Sequence, residues 1–205
     1  MIKPVRISLP EHLAHPWRVH ALAPDFELLD VWRFGTRGRA ADFPEFVRAM
    51  AGMDRVVAQT NWTTRALFGV RTGLGKLFRW DRERAPLPIP GCVEHSLAVR
   101  LSGGVDRTAP RSDAAFYPVY EDDREALTEI SNSTVHALMH LGWIALDDGT
   151  FAPQMAVYVK HRGLFGRVYM QVIGPFRHLV VYPSVMRAVD RGWAADHPEK
   201  LQAVT

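Results

Sequence analysis

Strict alternation of side-chain character is concentrated in the second half of the chain. From Thr134 to Leu146, residues Val135, Ala137, Met139, Leu141 and Trp143 share one side of an extended strand, and His136, Leu138, His140 and Gly142 share the other. From Pro153 to His161, Met155, Val157 and Val159 alternate in the same way with Ala156, Tyr158 and Lys160. Tyr117 to Ile130 is a further run of strand length. The turn-forming segments Ser131-Asn132-Ser133 and Asp147-Asp148-Gly149-Thr150 separate the three runs, which together predict an antiparallel meander.

Elsewhere one more strand-like run precedes segments of helical period. Ala21 to Phe34 is mainly apolar and strand-like, and ends in the turn-prone Gly35-Thr36-Arg37-Gly38. Asp42 is then a candidate N-cap, with Pro44 in the first turn of a helix over 43–53. Between Trp62 and Trp80, residues Trp62, Ala66, Val70, Leu74 and Leu77 recur at spacings of three and four and predict a second helix. Leu164 to Val189 reads as a long terminal helix kinked at Pro175 and Pro183. Its apolar stripe holds Tyr169, Ile173, Phe176, Val180 and Pro183, with Arg177 at the border and His178 on the exposed far side. Residues 82–113 break both periods. Pro86, Pro88 and Pro90 and the run LSGGVDRTAPRSD mark an irregular insertion, which holds one short amphipathic piece from Val93 to Leu101.

Composition narrows the class. The 205 residues, 47% hydrophobic and 23% charged, suit one globular domain over 1–205. Although the pI is about 9.2, the formal net charge is only +3 and the basic residues are scattered, so no nucleic-acid surface is expected. No stretch reaches the roughly 18 apolar residues of a membrane span, and the amino-terminal residues lack the apolar core of a signal peptide. A cytoplasmic protein is expected, and a reducing compartment is compatible with Cys92, the single cysteine, which can form no internal disulfide.

His136 and His140 raise the question of a metal. On a helix they would meet on one face, but on a strand a rise of about 3.3 Å per residue parts them by roughly 13 Å. The alternation favours the strand, and no HExxH glutamate or third ligand accompanies them, so no metal is expected. They are placed on the outer face of the sheet. Leu138 between them makes that face apolar for one bathed in water, which leaves open an intra-chain cover or contact with a second copy. A phosphate loop fails at Gly75-Lys76, because position 70 is Val and position 77 is Leu. The acidic cluster Glu121, Asp122 and Asp123 reads as a solvated turn. No nucleophile with a neighbouring base and no paired carboxylates stand out, and no cofactor is implied.

Four stretches carry a resemblance: DFELLDVWRF (25–34), WTTRALFGVRTGLGKLF (62–78), YPVYEDDREALTEISNSTVHALM (117–139) and GLFGRVYMQVIGPFRHLVVYP (163–183). Outside 82–113 the chain resembles a bacterial family of unknown function, found alone and at the end of some short-chain-dehydrogenase-like proteins. Its fold looks like the helix-grip superfamily of START and birch-pollen-allergen domains. The family's closing motif usually reads Pro-Phe-His-Arg, whereas this chain has Pro175, Phe176, Arg177 and His178. The resemblance implies an α+β helix-grip domain, in which a curved antiparallel sheet wraps around a long C-terminal helix and leaves an apolar cavity between them. Met139, Trp143 and Met155 would face Tyr169 and Phe176 across it, with Arg177 meeting a polar or anionic group of a lipid-like or polyketide-like ligand. The alternative is a non-catalytic interaction module in which the same residues interlock as a filled core.

Overall fold

The computed structural model describes residues 3–51, 97, 117–131, 135–161, 174, 178–179 and 182–197. In chain order these form β1 (Val5–Arg6), α1 (Leu9–Leu13), α2 (Arg18–Leu22), β2 (Glu27–Arg33), a 3-10 turn (Ala40–Asp42), α3 (Phe43–Ala51), β3 (Tyr117–Glu121), β4 (Glu125–Ser131), β5 (Val135–Ala145), β6 (Phe151–His161) and α4 (Tyr182–Asp196). The strands make one six-stranded sheet in the order β1-β2-β6-β5-β4-β3, with every pairing antiparallel. The class is α+β, as expected. No helix among the described residues is long and apolar enough to cross a membrane.

The meander forms because its alternation buries one side chain of each pair on either face. It also differs from expectation: Tyr117 to Ile130 is two strands, joined at Asp122, where the Asp122 amide donates to the Glu125 carbonyl at 2.8 Å. Charged residues at 121–124, which no buried face would accept, end the pairing there. At the β5–β6 hairpin Gly149 takes φ 78°, a left-handed conformation that suits glycine, and Asp148 accepts from the Thr150 amide at 2.9 Å.

Apolar clusters lie on both faces of the sheet. On one, Phe43, Phe46 and Met50 of α3 and Met186, Val189 and Trp193 of α4, spaced by three and four, pack over Trp32, Met139, Leu141, Trp143 and Met155. On the other, Ile7, Trp17, Val19 and Ala23 pack over Val31, Leu127, Leu138, Ala156 and Tyr158, with Leu97 beside them. Asp190 pins α4 to the loop after β2, accepting from the Gly35 and Thr36 amides at 3.1 and 2.9 Å and from the Thr36 hydroxyl at 2.6 Å.

Several expectations are corrected. The strand expected from Ala21 begins only at Glu27, because α2 occupies 18–22. The helix expected to end at Val189 continues to Asp196, where Trp193 still has a core position to fill. His136 and His140 do lie on a strand, but not on an outer face: both are buried, His140 against His12 and Trp17 and His136 against Phe26. The helix expected over 62–80, the insertion at 82–113 apart from Leu97, and most of 164–181 lie outside the described residues.

Candidate functional site

Three of the six residues expected to line a ligand site, Met139, Trp143 and Met155, share the face beneath α3 and α4 and are all buried in one cluster. Tyr169, Phe176 and Arg177 lie outside the described residues. The three do not have equal surroundings. Trp143 sits among Phe43, Phe46 and Phe151, with ring centroids 5.8, 5.7 and 6.5 Å away, and its indole N–H donates to the Arg39 carbonyl at 3.0 Å. A methyl group at Gly38 would come within 2.8 Å of the ring. That end of the layer is packed.

The other end mixes apolar and polar groups. Met139 is opposite Val157, which is opposite Asp30; one row along, Leu141, Met155 and Trp32 line up. Asp30 is fully buried, and its Oδ1 lies 2.9 Å from Nε2 of His178. His178 is therefore not the exposed helix residue expected from its position: its side chain is 22% exposed and engaged with a carboxylate. The rings of Trp32, His178 and Tyr182 stand 6.1 to 6.5 Å from one another, centroid to centroid. The Trp32 indole N–H is buried without a hydrogen-bond partner among the described residues.

A second polar assembly fills the opposite face under α1 and α2. His12 Nδ1 lies 2.6 Å from the side-chain Oε1 of Gln154, so that nitrogen carries the proton and donates. His12 Nε2 then accepts from the Tyr158 hydroxyl at 2.8 Å, and the Tyr158 oxygen accepts from His20 Nε2 at 3.0 Å. Beside this chain, Glu125 accepts from His140 Nε2 at 3.0 Å, the Tyr120 hydroxyl at 2.8 Å and the Arg18 amide at 3.0 Å. Glu129 accepts from His136 Nε2 at 2.9 Å and from the Leu97 amide at 3.2 Å. Burial pulls His12 down to about 4 and lowers His20 and His140 as well, so all three are neutral at pH 7. Burial would raise Glu125, but the bonds from His140, Arg18 and Tyr120 outweigh it and leave the carboxyl below its ordinary value. Burial raises the Tyr158 and Tyr120 hydroxyls. Neutral imidazoles hydrogen-bonded in series clip the amino-terminal helices to the sheet. Among the described residues, no group of three or more His, Cys, Asp or Glu side chains is placed to hold a metal ion.

Neither assembly was read from the sequence. Asp30 and His178, like His12, Gln154 and Tyr158, are far apart in the chain, and no local spacing joins them. The one available signal was the apolar Leu138 between two histidines, which asked for a cover. A family model with the description protein of unknown function (DUF2867) matches residues 22–184. No curated protein and no solved structure matches the chain. The matched span includes Asp30, Trp32, Met139, Met155, His178 and Tyr182, and begins after His12, Trp17, Arg18 and His20.

Proposed function

The chain belongs to the family described as protein of unknown function (DUF2867), and we propose, from the side chains beneath the terminal helix, that this member binds a small, mainly apolar molecule. The site lies between the sheet and the terminal segment, at the Met139 and Met155 end of the layer, with Tyr169, Phe176 and Arg177 contributed by that segment. The supporting observation is the pair of adjacent rows: two methionines, an adaptable apolar lining, stand beside a buried carboxylate and an indole N–H without an acceptor among the described residues. A core sealed for stability alone has little use for either polar group. On this reading the sheet grips the terminal helix as in helix-grip domains, because the stripe Met186, Val189 and Trp193 meets the same sheet face.

The test is direct. Native mass spectrometry of the purified full chain should show an added small-molecule mass, and after delipidation the neutral dye Nile red should bind with saturation. Met139→Trp, which adds bulk beside Val157, should abolish dye binding while the far-ultraviolet circular dichroism stays unchanged. If the native chain carries no such mass and binds no dye, the layer is a filled core, as the Trp143 end already is, and the chain is an interaction module.

A further inference from the structure

Two tryptophans of the same sheet face treat their indole N–H groups differently. Trp143 gives its proton to the Arg39 carbonyl. Trp32, more than nine-tenths buried, finds no acceptor for its own among the described residues. Folded proteins pair nearly all buried donors, and an orphan at a candidate site marks the place of a missing acceptor. Along its cross-strand row Trp32 is flanked by Arg6 on one side and by Met155, Leu141 and Ala126 on the other, none with an oxygen in its side chain; the first such oxygen on that row belongs to Glu121, four strands away. One row away stands Asp30, already engaged by His178 at 2.9 Å and approached by Arg6 at 3.9 Å.

The charge of the missing acceptor follows from Asp30. An anionic group beside a carboxylate of zero exposure would meet like-charge repulsion in a site with little water to screen it. A neutral oxygen satisfies the indole without that repulsion, and a hydroxyl can also donate to the carboxylate. The geometry points to a ligand that carries an uncharged carbonyl or hydroxyl oxygen, received by the Trp32 N–H at the Asp30–His178 pair. This rests on the small-molecule reading above and narrows it, since the sequence allowed an anionic group met by Arg177.

The experiment uses the full, delipidated chain and displacement of Nile red by four probes of equal length: decan-2-one, decan-1-ol, decanoate and decane. The ketone and the alcohol should compete about tenfold better than decane, the value of one hydrogen bond in a dry site, and decanoate should be the weaker of the oxygenated probes. Trp32→Phe should erase the ketone's advantage over decane. Asp30→Asn should raise decanoate towards the ketone, and carries the test if Trp32→Phe fails to fold. Decanoate binding best to the native chain, or a ketone advantage that survives Trp32→Phe, overturns the inference while leaving the small-molecule reading in place. Failure of the dye itself to bind removes that reading, and this one with it.

Discussion

Two single positions test how tightly the layers close. A methyl group at Gly142 would lie 2.8 Å from two ring atoms of Trp17, which packs edge-on against His140 of the same strand. Gly142→Ala should therefore cost about 1–3 kcal/mol by overpacking. Urea unfolding checks it, and an unchanged midpoint would mean that the amino-terminal cover shifts without penalty. At the opposite face, Trp143→Ala removes the ring that fills the space between Phe43, Phe46 and Phe151 and strands the Arg39 carbonyl, at a cost of about 3–5 kcal/mol. A loss below about 1 kcal/mol would show that Trp143 lines open space rather than core.

The element most sensitive to solution conditions is the α1–α2 pair. His12 titrates near 6.5 when unfolded but only at about 4 beneath the cover, so between those values the unfolded chain binds the extra proton. Stability is therefore full above about pH 6.5 and falls as the pH drops toward 4, by on the order of 3 kcal/mol for His12 alone. His20 and His140 are shifted the same way. Glu125, held below 4.5, adds a further loss at lower pH, and Asp190, raised by burial, opposes it only at the acidic end. Urea midpoints between pH 7.5 and 4.5 should fall steadily for the native chain and less steeply for His12→Gln. A flat native profile would contradict neutral burial of these rings. The same elements show where the sequence was legible. The meander was, because a period of two persists over eleven residues in both β5 and β6. The five-residue helices α1 and α2 were not, because a helix that short completes barely one turn and leaves no stripe to read. Ser8 capping the Glu11 amide, with Pro10 in the first turn, was the one local cue.

For the molecule as a whole, α4 holds the second face closed. Removing residues 182–205 takes Met186, Val189 and Trp193 out of the core and leaves Gly35 and Thr36 without the Asp190 carboxylate. The truncated chain should lose its cooperative unfolding transition and bind the hydrophobic dye 1-anilinonaphthalene-8-sulfonate as a loosely packed state. A soluble truncated protein with a sharp transition would show that the sheet and α3 suffice. The strand order adds a matter of timing. The first long strand, β2, pairs inward with the last, β6: Val31 meets Ala156, 125 residues later. During synthesis at roughly 5–20 residues per second, the amino-terminal strand must wait on the order of ten seconds for that partner to emerge. Throughout that interval Leu28, Val31 and Trp32 have no sheet to join, which makes them natural ground for a chaperone and makes closure of the β2–β6 ladder a late step of folding.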